Sequence, residues 1–362
     1  MHSPTPAKAA SVKRLERLDV LRFPLILLVV YIHAGTAGLT LGNGIVAADS
    51  DFVRATKYIG SDLVGRVAVP SLFFISGYLF FDKHSFEIDD YVLKIRSRFR
   101  SLFIPLIFWN ILLFSAIFAA QKIPQTASYF SSRNKLLSSY SPFEVTDALI
   151  GISKSPIAYQ FWFVRDLIIL SLISPIIYLT ARHLPRVGTA LLLAIWASGF
   201  WSVPIPDIVA VACFFLGSVV AVNAIPLFSL DRYAGLIYLS YAVSLGASWL
   251  ARDTMFDQPT IVLSRLAAIA AALCVTRLIV RSNPMRTILL ALAPASFFMF
   301  AVHEPTLIII RKIIYRLLHV TPTVSLLVYL IVPLVVAAMA TIAYFRLRAS
   351  APQFAALISG GR

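Results

Sequence analysis

Ten runs of predominantly apolar residues, most of them long enough to cross a bilayer, set the limits on how this chain folds. They fall near 19–41, 62–81, 101–120, 159–181, 187–203, 206–224, 233–250, 260–280, 288–310 and 323–346. A transmembrane helix needs about 20 apolar residues to traverse the hydrocarbon core. Only 14% of the residues are charged, against about 25% in an average soluble domain. With 59% hydrophobic residues, lipid must be the solvent for most of the apolar surface. The predicted fold class is therefore all-α, a polytopic transmembrane helical bundle of about ten helices. The expected organisation is an N-terminal tail over 1–18, a membrane domain over 19–348 and a C-terminal tail over 349–362. The pair of runs around 187–224 is short and interrupted by Pro204 and Pro206, so it reads as a tight hairpin or a partly re-entrant segment.

The chain carries 32 Lys and Arg against 17 Asp and Glu, a net charge of +15. The basic residues sit mainly in short loops between the apolar runs, which argues for topology control rather than nucleic-acid binding. Counted by alternate loops, 18 fall on the side of the N-terminus and 10 on the other. Both termini are thus expected in the cytoplasm, with Arg311, Lys312 and Arg316 as the main dissent. The first apolar run is too long for a signal-peptide core and reads as a retained helix. Cys213 and Cys274 lie inside apolar runs and form no ligand spacing, so no metal site is expected. The longest outer segment, 121–158, is polar and reads either as a lid or as a plain solvated connection.

Ionisable groups within membrane helices cost about 2.5–3.5 kcal/mol each on insertion scales, so each demands a reason. Arg22 and His33 stand eleven positions apart on the first helix. Eleven residues turn through ~1100°, within about 20° of three full turns, and rise ~16 Å. Both side chains therefore project from one face, Arg22 near the cytoplasmic end and His33 towards the outer half. An Arg offers a fixed fork of donors to phosphate, and a neutral His takes a proton from an attacking hydroxyl. The alternative is structural: Arg22 anchors at the lipid interface and His33 bonds a neighbouring helix. Topology places Arg66, Trp162, Arg165, Asp166, His303 and Glu304 at a similar outer depth. Lys94, Arg96, Arg98 and Arg100 form an inner basic rim, read either as a positive-inside signal or as a phosphate-binding edge. No Walker loop or dinucleotide fingerprint is present.

Several segments in fixed order resemble the membrane-bound acyltransferase-3 family. They are Leu18-Asp19-Val20-Leu21-Arg22 with ten residues before His33, Arg66-Val67-Ala68-Val69-Pro70, and Phe74-Ile75-Ser76-Gly77-Tyr78. The basic run to Arg100 and Pro105 follows, then Phe161-Trp162-Phe163 with Leu167 and Pro175, Phe214-Phe215-Leu216-Gly217, and Ser296-Phe297-Phe298 leading to His303. The resemblance covers about 17–310. It implies transfer of an acyl group, commonly acetyl from acetyl-CoA, onto a hydroxyl of a bacterial exopolysaccharide or other cell-surface glycan. It also implies an inner-membrane location, with acyl-CoA as donor, a glycan or lipid-linked oligosaccharide as acceptor, and no bound cofactor. Arg22 and His33 match the family's functional pair, whereas Arg96, Arg98 and Arg100 are spaced by two and depart from its RXXR arrangement. The stand-alone members, without a fused periplasmic domain, are the nearer likeness.

On this reading Arg22 and some of Arg96, Arg98 and Arg100 hold the donor's phosphates and His33 is the general base. Asp166 or Glu304 orients an imidazole, and Arg66, Arg165 or His303 stabilises the oxyanion, with Trp162 at the substrate. A transporter or flippase of glycan precursors is the rival reading, since polar groups at mid-membrane serve such proteins too.

Overall fold

The structure is a computed structural model that describes residues 6–35, 40–41, 44–45, 49–82, 87–124 and 135–361. Parts of the expected N-terminal tail (1–5) and of the outer segment (125–134) lie outside the described residues. The bundle is all-α, as the apolar runs predict, with a single two-residue antiparallel pair, Thr40–Leu41 with Gly44–Ile45. Helices run as α1 (Pro6–Gly35), α2 (Asp51–Phe80), α3 (Ile88–Lys122), α4 (Pro142–Ile150), α5 (Tyr159–Leu172) and α6 (Ser174–His183). They continue as α7 (Pro185–Ser198), α8 (Ile208–Val222), α9 (Ala234–Leu250), α10 (Asp257–Arg281), α11 (Asn283–Leu317), α12 (Pro322–Ser350) and α13 (Pro352–Ser359).

The number of spanning helices departs from ten. Among the described residues, six helices are long and apolar enough to cross a membrane, and a seventh span arises if α5 and α6 count together. Those two meet at a 66° bend, where Pro175 supplies no amide proton and the ladder restarts. α8 has 15 residues, which at ~1.5 Å each fall short of a ~30 Å hydrocarbon core.

α1 occupies the middle of the bundle and packs against α2, α10, α11 and α12. Its apolar residues Leu18, Leu21, Leu25, Val29 and Val30 are buried. Its N-terminal part is helical from Pro6, earlier than the apolar pattern implies, because ion pairs hold it in place. Arg17 forks onto Asp231 at 2.7 and 2.9 Å and reaches Thr276 at 2.7 Å. Arg14 pairs with Asp82 at 2.7 Å, and Glu16 pairs with Arg286. These contacts fix the axial position of α1, and hence of the two groups it carries.

α2 and α8 cross backbone to backbone. A Cβ at Gly77 would lie 2.1 Å from the Phe214 carbonyl oxygen, and one at Gly217 would lie 2.0 Å from that of Phe74. The two Phe-rich segments of the sequence are thus one reciprocal packing joint, in which glycine is required for close approach.

Candidate active site

His33, near the C-terminal end of α1, faces His303 and Glu304 on α11. The imidazole rings of His33 and His303 lie 5.1 Å apart, and His33 Nδ1 is 3.6 Å from Glu304 Oε2. His303 is fully enclosed at 0% exposure, and Glu304 is 8% exposed. The local backbone explains how α11 presents them. Pro305 has no amide proton, so the Ala301 carbonyl four residues back loses its helical donor. Gln160 fills that vacancy, its Nε2 donating to the Ala301 carbonyl at 3.1 Å. Asn110 Oδ1 accepts the Ala158 amide at 2.9 Å, anchoring the same segment to α3. Between these two anchors stands Tyr159, whose hydroxyl lies 2.7 Å from His33 Nδ1 and also faces the Glu304 carboxylate.

Tautomers follow from the partners. His303 Nδ1 lies 2.6 Å from the Phe300 carbonyl oxygen, which only accepts, so Nδ1 carries the proton in the neutral ring. Nε2 is then a bare lone pair, and it has no protein partner. A neutral His303 can receive a proton at that atom but cannot donate there to an oxyanion. Arg311, buried at 4% and two turns further along α11, donates to the His33 carbonyl oxygen at 3.4 Å. The carboxylate, phenol, two imidazoles and guanidinium together make a proton-handling centre, buried at His303, Glu304 and Arg311 and exposed at Tyr159. Three of these, His33, His303 and Glu304, also offer ligand atoms within 4.8 Å of one another.

Arg22 lies on the same face of α1, which is unbroken between the two residues. It pairs with Asp19 at 2.9 Å and opens into two adjoining cavities that share Leu72 and Ser76. One, of about 350 Å³, is walled by Ser97, Arg98, Ser101 and Gly360. The other, of about 80 Å³, runs along Ser296 and Phe297 to Phe163 and Phe300. The Phe300 ring is 6.0 Å from that of His303. A continuous file of groups therefore joins the Arg22 end of α1 to the imidazoles. Of the inner basic rim, Arg98 faces the cavity, while Arg96 and Arg100 are exposed. α13, within the expected C-terminal tail, is packed: Trp109 Nε1 donates to the Ile358 carbonyl at 2.9 Å.

A family model for the acyltransferase domain matches residues 15–342. The chain belongs to that family. This acyltransferase is also 24% identical to the succinoglycan biosynthesis protein ExoH of Rhizobium meliloti (strain 1021), over 96% of this chain and 92% of that one. No solved structure gives a significant match. The acyltransferase is a multi-pass membrane protein, and its matched region contains the whole file from Arg22 to His33, His303 and Glu304.

The remaining expected site residues lie elsewhere. Arg165 and Asp166 form a buried pair at 2.8 Å. Arg165 donates to the Gly151 and Lys154 carbonyls at 3.1 Å each, and Asp166 Oδ2 accepts the Asp207 amide at 2.8 Å. The pair ties α5 to the start of α8, and its carboxylate orients no imidazole. Arg66 bonds Asp62 at 2.6 Å and lines a separate outer pocket. Trp162 packs on Phe73, with ring centroids 5.9 Å apart. Sequence reasoning missed Tyr159 and Arg311. Arg311 carried a readable signal, since it lies seven and eight positions beyond Glu304 and His303 and so shares their helical face.

Proposed function

We propose that this enzyme transfers an acyl group, acetyl in the simplest case, from acyl-CoA to a hydroxyl of an exopolysaccharide or its lipid-linked precursor, at the inner membrane. The likeness to a succinoglycan biosynthesis protein supports an exopolysaccharide as acceptor. The observation that carries the reading is the placement of Arg22 and His33 on one face of α1, each opening towards α11. Arg22 and Arg98 have the chemistry to hold the donor's phosphates, and the narrow cleft past Ser296 marks the direction, from Arg22 towards Phe300, along which its pantetheine arm would have to widen a path. The loop-charge bias supports both termini in the cytoplasm, with the donor entering there and the acceptor approaching from the opposite side.

In the proposed chemistry Tyr159 donates to Glu304 and accepts the His33 Nδ1 proton, which leaves His33 Nε2 as the base. That nitrogen removes the proton of the sugar hydroxyl as the oxygen attacks the thioester carbonyl. The new C–O bond forms and the C–S bond breaks. The imidazolium then returns the proton to the departing thiolate, giving an ester and free CoA thiol. His303 Nε2, a second acceptor, fits a role in holding the hydroxyl before attack.

The test uses purified protein with acetyl-CoA and glycan, read as thiol release and as ester on the glycan. His33→Ala is expected to lower transfer by at least ~100-fold, the usual contribution of a general base. Unchanged transfer in that variant overturns the mechanism. A precursor flippase, by contrast, would liberate no thiol.

A further inference from the structure

The outer pocket around Arg66 is separate from the imidazole centre and has its own chemistry. It lies between the outer ends of α2, α9 and α10 and holds about 200 Å³. It opens at the turn joining α9 to α10, where Arg252 is exposed, and reaches down to Arg265. Arg265 lies eight residues along α10 from Asp257, a depth of ~12 Å at ~1.5 Å per residue. The segment from Tyr58 to Val67 divides this pocket from α1. Ser61 and Gly65 face α1, the Ser61 hydroxyl donating to the Tyr31 carbonyl at 2.7 Å, while Tyr58, Asp62 and Arg66 face the pocket.

Two groups at its floor make no hydrogen bond among the described residues. Among the described residues Arg265 makes no hydrogen bond or ion pair; its guanidinium lies 5.6 Å from the Trp196 ring and feels the like charge of Arg66 and, more weakly, the carboxylate of Asp207. The Tyr241 hydroxyl is buried and likewise unbonded. A part-buried guanidinium beside another cation, with its nearest carboxylate beyond ion-pair distance, leaves its donors free for an anion in the pocket. Nearer the mouth, the Arg66–Asp62 pair and Asp257 offer donors and acceptors side by side, and Tyr58 offers an aromatic face. Such a lining suits vicinal sugar hydroxyls together with one negative charge.

We infer that this pocket is an acceptor subsite for an anionic saccharide, with Arg265 and the Tyr241 hydroxyl holding its carboxylate or phosphate and the Arg66–Asp62 pair its hydroxyls. The inference rests on the acyl-transfer reading for the word acceptor, and on the pocket alone for the anion. The charge has two chemical sources, an acidic sugar or the diphosphate of a polyprenyl carrier.

Calorimetric titration of the full-length protein in nanodiscs separates them, using three probes. These are a glucuronate-bearing disaccharide, the same disaccharide with its carboxyl reduced to an alcohol, and a short polyprenyl diphosphate. The acidic disaccharide is expected to bind at least tenfold tighter than the reduced one. In Arg265→Gln that ratio falls towards one, while Arg265→Lys retains part of it. Tight binding of the diphosphate, lost in Arg265→Gln, assigns the charge to the carrier and upholds the anion subsite. If neither anion outbinds the neutral sugar, or the ratio is unchanged in Arg265→Gln, the inference is overturned. Should Arg265→Gln fail to fold, Arg252→Gln at the exposed mouth is expected to cut the ratio about threefold, and an unchanged ratio there overturns it equally. Thiol release from acetyl-CoA, measured in the same preparations, keeps the two readings apart. Anion preference without release leaves the pocket standing and removes the acyl-transfer reading, and release without preference does the reverse.

Discussion

At the scale of single residues the centre depends on how its protons are placed. Tyr159 links His33 Nδ1, at 2.7 Å, to the Glu304 carboxylate. Removing its hydroxyl leaves the base present but free to turn and to take the wrong tautomer. Tyr159→Phe is therefore expected to lower kcat about tenfold, the cost of roughly one well-placed hydrogen bond, with little change in KM for the donor. Steady-state kinetics against both substrates checks this, and an effect confined to KM would contradict it. Arg22→Ala is expected to show the opposite pattern, a donor KM raised tenfold or more, because a phosphate contact formed equally in ground and transition states affects binding alone. The difference in legibility between these residues has a physical cause. Arg22, His33, His303 and Glu304 stand out in a sequence because charge within an apolar run is expensive. Tyr159 stands at the first position of an apolar run, next to a polar connection, where a tyrosine costs little and signals nothing. Arg165 and Asp166 stood out by the same rule as His33, yet their charges are spent on each other and on loop carbonyls. Cost marks a buried ionisable group as important without saying for what.

At the scale of elements, glycines decide how closely helices meet. Gly77 and Gly217 bring α2 and α8 together so tightly that even a methyl group would fall near 2 Å from the opposing carbonyl oxygen. Gly217→Ala is expected to destabilise the bundle by about 1–3 kcal/mol through overpacking, visible as a lower unfolding midpoint in detergent. Transfer by the surviving protein should also weaken, because α2 carries Ser76 on the wall beside Arg22. An unchanged midpoint would mean that the two helices separate without cost. The close approach was readable in the sequence as small residues on apolar helices, but the pairing of those two segments was not, since no local pattern specifies a partner. Outside the membrane, α4 begins with a capping box in which Ser141 and Glu144 serve each other's backbone amides. The Lys135 ammonium and the Ser141 amide hold the Glu144 carboxyl down to about 2, below its ordinary value of 4.5. A carboxyl lowered on folding contributes stability above its unfolded value, and that contribution is lost as pH falls through its folded one. Amide exchange across Pro142–Ile150, corrected for intrinsic rates, is expected to quicken as pH falls from about 4.5 towards 2. Glu144→Gln should give the faster exchange already at neutral pH, and identical exchange in the two proteins would show that the box does not hold this helix.

At the scale of the whole molecule, α1 gives the bundle a direction. Arg22 and the cavity wall of Arg98 and Gly360 lie towards one membrane face, while His33, Tyr159 and Arg311 lie towards the other. The sequence conveys this polarity through its loop charges, 18 against 10, and the structure weakens the one dissenting cluster. Arg311 is a buried neighbour of His33 rather than a loop charge, while Lys312 and Arg316 keep their place in the count. Helix number was less legible, because hydropathy measures composition and not the length of unbroken helix, and three of the runs fold into helices of 14, 15 and 17 residues. If the polarity holds, a donor bound at Arg22 and an acceptor bound near His33 arrive from opposite sides and meet only at the imidazoles. Thiol labelling decides the orientation without a cysteine-free background, since Cys213 and Cys274 are both buried. Asp89, Ser139 and Asp253 are exposed positions in or next to three different loops. In intact cells an impermeant maleimide is expected to label Ser139→Cys and Asp253→Cys, and to label Asp89→Cys only after permeabilisation. Labelling of Asp89→Cys in intact cells would reverse the bundle and place the Arg22 cavity away from the cytoplasmic pool of thioester, leaving His33 with no donor to act on.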